Sequence, residues 1–111
     1  MQSNVIQKDI NGNQVTLLSV RANEADQYPV EIGAKKAQLF VDNLPQIDSW
    51  LTGVKRNKGS FKETIEIENG KYPWTLAAWK ADKLFQAFDA VSQFAQSGGT
   101  DNVEFGPSGN F

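Results

Sequence analysis

Tyr28-Pro29-Val30-Glu31-Ile32-Gly33-Ala34-Lys35-Lys36-Ala37 and, 44 residues further on, Tyr72-Pro73-Trp74-Thr75-Leu76-Ala77-Ala78-Trp79-Lys80-Ala81 follow one plan. A Tyr-Pro pair opens each stretch and a Lys-Ala pair starts an apolar stripe of helical spacing. The same offset lays Ile32 on Leu76, Val41 on Phe85, Leu44 on Phe88, Ile47 on Val91 and Trp50 on Phe94. Apolar stripes often match by chance, but Tyr-Pro and Lys-Ala matching at one offset point to a repeated strand-helix unit. Each unit has an apolar helix face that it cannot bury alone, so the two are expected to share one sheet and one core.

Working outward, Tyr28, Val30 and Ile32 alternate with Pro29 and Glu31, the period-2 pattern of a half-buried strand that Pro29 confines to a start or an edge. From Ala34 to Thr52, Ala37, Phe40, Val41, Leu44, Ile47 and Leu51 recur at steps of three and four on one helical stripe. Pro45 interrupts it, and an interior proline costs roughly 3 kcal/mol, which predicts a kink near Asn43 or a break with Pro45 in the first turn of a second helix. Upstream, Asn4–Ile10 and Gln14–Arg21 flank Asn11-Gly12, the signature of a tight primed hairpin turn. A second hairpin is predicted about Asn69-Gly70, with Phe61, Ile65 and Ile67 on one arm and Tyr72, Trp74 and Leu76 on the other. A closing helix over 78–96 stops at Ser97-Gly98-Gly99. The expected architecture is α+β: one antiparallel sheet of about five strands and two helices in the order β-β-β-α-β-β-α. The domain spans 1–97, as units 1–53 and 54–97, and a mobile tail follows over 98–111.

At 111 residues and 40% apolar composition the chain suits one globular core. No apolar window is long enough for a bilayer span, and Met1–Ile10 lacks the zones of a signal peptide, so the expected location is the cytoplasm, the host's if the chain is viral. With no cysteine and no histidine, thiolate nucleophiles, sulfur-ligated zinc and the commonest general base and metal ligand are all missing. Neither GxxxxGK[ST] nor GxGxxG occurs. The paired carboxylates Glu66 with Glu68 and Asp42 with Asp48 lie on polar faces, where water is their natural partner. No enzyme, cofactor or metal is expected.

The net charge is −2, but with Asp101 and Glu104 set aside as tail residues the rest carries eleven basic and eleven acidic side chains. Lys55, Arg56, Lys58 and Lys62 form the one clear charge cluster, and Lys71, Tyr72, Trp74 and Trp79 follow it closely. Lysines beside aromatic platforms are how single-stranded nucleic acid is held, with stacking worth about 1–3 kcal/mol per base. Trp74 shares a strand face with Tyr72 and Leu76, as a core residue would, so Tyr72 and Trp79 are the better platforms.

Val5-Ile6-Gln7-Lys8-Asp9-Ile10-Asn11-Gly12-Asn13-Gln14-Val15-Thr16-Leu17-Leu18-Ser19-Val20-Arg21, followed by Asp42-Asn43-Leu44-Pro45-Gln46-Ile47-Asp48-Ser49-Trp50-Leu51, resembles the transcriptional coactivator positive-cofactor-four family and its phage single-strand-binding and whirly relatives. The likeness covers roughly the first half. It implies a curved antiparallel sheet that binds single-stranded DNA, helices that pair two chains into a homodimer, and Lys8 and Arg21 on strands facing the nucleic acid. The family has four strands before its helix where three are counted here, and Glu66 and Glu68 would repel phosphate. A terminal-phenylalanine acidic tail like that of phage single-strand-binding proteins would make Phe105 and Phe111 a partner-docking element.

The expected function is therefore non-enzymatic binding of single-stranded DNA, with RNA as the other candidate ligand. Lys8, Arg21, Lys55, Arg56, Lys58, Lys62 and Lys71 would meet phosphates, and Tyr72 or Trp79 would stack. The alternative is a small protein-protein interaction module, an inhibitor or adaptor of a host complex, since a neutral body with scattered aromatics suits an interface equally well.

Overall fold

The computed structural model describes residues 1–98, so the readings placed on Asp101, Glu104, Phe105 and Phe111 lie outside the described residues. Strands β1 (Gln2–Ile10) and β2 (Asn13–Arg21) form the predicted hairpin, closing at Ile10 opposite Asn13. Asn11 and Gly12 take φ of 53° and 82°, the left-handed pair that a primed two-residue turn requires. Strand β3 (Val30–Ile32) pairs antiparallel with β2. The register sets Val5, Leu18 and Ile32 on one buried face with Val20 and Val30, and leaves Lys8, Ile10, Leu17, Arg21 and Glu31 on the other.

Helix α1 (Ala34–Asp42) stops at Asn43, and α2 (Leu44–Arg56) begins with Pro45 in its first turn, as the proline predicts. Strands β4 (Thr64–Ile67) and β5 (Trp74–Ala77) form a second antiparallel pair, and α3 (Ala78–Gln86) and α4 (Phe88–Gln96) complete the described chain. The 44-residue offset carries β3 onto the first three residues of β5, and α1 onto α3 residue for residue. The two helix breaks have nearly the same backbone geometry, φ and ψ of −113° and 21° at Asn43 and −112° and 30° at Ala87.

The expected single sheet and two helices are corrected here. The described chain has four helices and two separate antiparallel sheets, of three and two strands. The second break has no proline. The Ala87 N–H is instead shared between the carbonyls of Lys83 and Leu84, and tertiary packing bends a segment whose local propensity is helical. β3 and β5 are short, each preceded by a proline, and they pair with β2 and β4 but not with each other. The expected tight hairpin at Asn69-Gly70 is also longer: Tyr72 N–H donates to Asn69 O and Gly70 has φ of 58°, but the last cross-strand pair is Ile67 with Trp74. Pro73 cannot extend the ladder.

The two halves close on each other through their helices, α1 packing against α4 and α2 against α3. Reciprocal packing of this kind is what a two-fold relation between the halves would produce, although α1 and α4 meet more extensively than α2 and α3 and the two sheets differ in strand number. Ala37 and its repeat mate Ala81 are fully buried, and their small side chains let backbones approach. Phe40 is also fully buried, edge-on to Phe85 with ring centroids 4.9 Å apart. No helix among the described residues is long and apolar enough to cross a membrane.

Helix α2 ends in a Schellman turn, in which Gly59 N–H donates to Val54 O and Lys58 N–H to Lys55 O. This puts Lys58 at φ of 54°, a left-handed conformation that costs an L-residue about 1 kcal/mol. Lys58→Gly is therefore expected to stabilise the fold by about 0.5–1 kcal/mol, read as a higher urea midpoint at unchanged m-value.

Candidate functional site

Between the two sheets runs a furrow of about 390 Å³, walled on one side by Val30–Ile32 of β3 and on the other by Trp74–Leu76 of β5. Since β3 and β5 are repeat mates, the furrow lies between equivalent strands of the two halves. Lys36 and Lys80, also repeat mates, both line it, and Tyr72 and Pro73 stand at its mouth. Tyr72 is 74% exposed, whereas Trp74 is 8% exposed and belongs to the core.

A second depression of about 620 Å³ adjoins the first and shares Glu31, Ile32, Lys36 and Asn69 with it. It lies on the open face of the three-stranded sheet, where Ile10 and Leu17 supply apolar floor, and it adds Lys8 and Lys35. Together the two hollows gather Lys8, Lys35, Lys36 and Lys80 around one carboxylate, Glu31. That carboxylate is already matched, because Lys8 Nζ donates to its Oε1 at 2.6 Å. The surplus is positive in a chain of net negative charge.

Helix α1 opens into this region, with Gly33 and Lys35 in the wall and no side chain capping its first turn. Its first turn carries two lysines and no acid, against the preference of a helix dipole, so the positive end of the helix and the two ammonium groups reinforce each other. The repeat mate α3 is different. Its first N–H groups, of Ala78 and Trp79, donate to the carbonyls of Glu63 and Phe61, at 2.8 and 3.1 Å.

The basic cluster borders this cap. Lys55 and Arg56 end α2, and Lys58 and Lys62 lie in the turn that leads to the carbonyls on α3. Lys55 Nζ donates to Asp82 Oδ1 at 2.8 Å, tying α2 to α3, and Glu63 Oε2 accepts from Ser60 N–H. None of the four cluster residues lines the furrow. Lys71 is exposed beside Tyr72, with its Nζ 6.0 Å from the ring centroid. Trp79 is half-buried, with the ammonium groups of Lys80 and Lys83 at 5.4 and 5.6 Å from its ring centre, so cations already occupy its surroundings. Arg21 shares the open sheet face with Lys8 but sits at the far end of β2, half-buried, its Nε without a hydrogen-bond partner.

The other exposed tyrosine is Tyr28, the repeat mate of Tyr72 and 71% exposed. Its backbone is pinned on both sides: the N–H donates to Asp26 Oδ1, and the carbonyl accepts from Lys83 Nζ at 2.6 Å. Lys83 also donates to Asp26 Oδ2 at 2.5 Å, in the least exposed ion pair of the described residues. The Ala22 N–H, the Lys83 ammonium and the Tyr28 N–H hold the Asp26 carboxyl far below the usual carboxylate range. A lowered folded-state pKa stabilises above the unfolded value and is lost as pH falls through the folded one. The stability advantage over Asp26→Asn should stay constant from pH 7 to about 5 and shrink only below about 4, as denaturant midpoints against pH would record.

Sequence reading places Tyr72 and Lys8 in the site, marks Lys36, Lys80 and Tyr28 only as repeat positions, and passes over Lys35. The usable signal is the recurrence of Lys and Tyr at equivalent repeat positions, one strand apart. Among the described residues no cluster of carboxylates is arranged to hold a metal ion. Comparison with family models, curated proteins and solved structures finds no match to this chain.

Proposed function

We propose that the chain is a non-enzymatic binder of single-stranded nucleic acid and that the inter-sheet furrow is where the strand lies. The observation that carries this reading is that Lys36 and Lys80 line the furrow with the exposed Tyr72, while Lys8 and Lys35 line the depression that adjoins it at Lys36. Lysines set along a groove track phosphates, and an exposed aromatic takes a base face whatever its sequence. The uncapped start of α1 adds backbone N–H donors and a positive dipole end, which suit a phosphate oxygen. The likeness of Val5–Arg21 to the positive-cofactor-four family points the same way, since it implies strand binding on a sheet bearing Lys8. The helix pairing which that likeness assigns to two chains has a counterpart here between the two halves of one chain.

The open edges of β3 and β5 favour one other occupant, an extended acidic peptide added to an edge. The two readings separate in a titration followed by tryptophan fluorescence, because Trp74 and Trp79 lie at the furrow and beside Lys80. Oligo-dT is expected to quench the signal, with affinity falling as salt rises at a log-log slope of about −0.7 per phosphate neutralised. A chain that answers to poly-glutamate but not to oligo-dT at low salt is a protein-docking module instead.

A further inference from the structure

We propose that the furrow is a two-half site that takes one strand across both halves in either direction, an inference that rests on the nucleic-acid reading above. Each half supplies the same three parts in the same order: an exposed tyrosine before a proline, an edge strand, and a lysine in the first turn of the following helix. These are Tyr28, β3 and Lys36 in one half, and Tyr72, β5 and Lys80 in the other. Both edge strands and both lysines line one groove, and the first helix of each half packs on the second helix of the other, the pairing expected of a two-fold rather than a translation.

A two-fold axis perpendicular to a groove exchanges its two ends. A strand laid along the groove meets Tyr72 in its lining and, in this assignment, Tyr28 beyond the other end, two residues before the wall residue Val30, so reversing its 5′ to 3′ sense exchanges one ring and one lysine for their repeat mates. Single-stranded DNA has a polarity, but stacking on a ring face and pairing with an ammonium group do not read it. Both tyrosines are held ready by their backbones. Tyr28 N–H is bonded to Asp26 and its carbonyl to Lys83, and Tyr72 N–H is bonded to Asn69 O. Departures from symmetry include Glu31 against Thr75, which Lys8 offsets, Lys35 against Trp79, and a lining that takes in Asn69, Tyr72 and Pro73 but not their repeat mates.

The test uses the full chain labelled with nitrogen-15 and an oligo-dT of about eight nucleotides carrying a nitroxide at its 5′ or its 3′ end. Both tagged strands are expected to broaden the amide signals around Tyr28 and around Tyr72, to within about threefold of each other, because both orientations are populated. A 5′ tag that broadens one tyrosine and a 3′ tag that broadens only the other overturns the two-half site while leaving the furrow as the binding groove. Tyr28→Ala and Tyr72→Ala should each weaken binding about tenfold, and a Tyr28→Ala chain that binds like the parent also overturns it. If neither tagged strand binds at low salt, the nucleic-acid reading itself falls and this inference falls with it.

Discussion

Reversing Lys36 and Lys80 together to glutamate is expected to lower the affinity for oligo-dT by roughly a hundredfold at low salt, at about 1.5 kcal/mol for each charge-assisted hydrogen bond to phosphate. The salt dependence should change as well, its log-log slope shrinking by about 1.4 when two phosphates are no longer neutralised. Both side chains are exposed and neither anchors the core, so circular dichroism and the urea midpoint should stay near those of the parent. The matched control is Arg56→Glu with Lys62→Glu, which makes the same change in net charge at the end of α2 and in the loop after it. If the furrow holds the strand, that control weakens binding by no more than about threefold, the effect of a distant charge screened over a Debye length near 10 Å.

The largest expected effect on stability is at the seam between the repeats. Phe40 is fully buried on α1, edge-on to Phe85 of α3, so it ties the first half directly to the second. Phe40→Ala removes a large ring from a site that rigid helices prevent from collapsing, and should cost about 3–5 kcal/mol. Against a total stability of about 5–15 kcal/mol for a domain of this size, that leaves a marginal fold. Chemical denaturation would show it as a lower midpoint. Tyr72→Ala supplies the contrast, because removing an exposed ring should weaken oligonucleotide binding and leave the midpoint almost unmoved.

These two expectations draw on parts of the molecule that differ in how legible they are. The repeat is visible because Tyr-Pro and Lys-Ala recur in register, and the first hairpin because Asn11-Gly12 can hold two positive φ angles. The break before Pro45 follows from an amide without a hydrogen. The matching break at Ala87 carries no such mark, because alanine is the best helix former and only the packing of α1 on α4 and α2 on α3 requires the bend. The separation of the sheets is equally hidden, since edge pairing depends on where two distant strands come to lie.

The site is legible only in fragments, for a related reason. A window slid along the chain finds charges that are neighbours in sequence, and so it finds Lys55, Arg56, Lys58 and Lys62. The furrow and the depression beside it instead collect Lys80 from α3, Lys36 and Lys35 from α1, and Lys8 from β1. No two of those elements are adjacent in the chain. Tyr72 stands out because it follows the basic cluster, while Tyr28, its equivalent, lies in a segment with no local charge cluster to draw the eye.

Photo-cross-linking offers the most direct test that the strand occupies the inter-sheet furrow. An oligo-dT bearing 4-thiothymidine, irradiated on the full chain and mapped by peptide mass, should leave its adducts on Tyr72, with Tyr28 as the second position. Adducts confined to Phe61 and the 55–62 loop, with both tyrosines unmodified, would contradict the account and return the site to the basic loop.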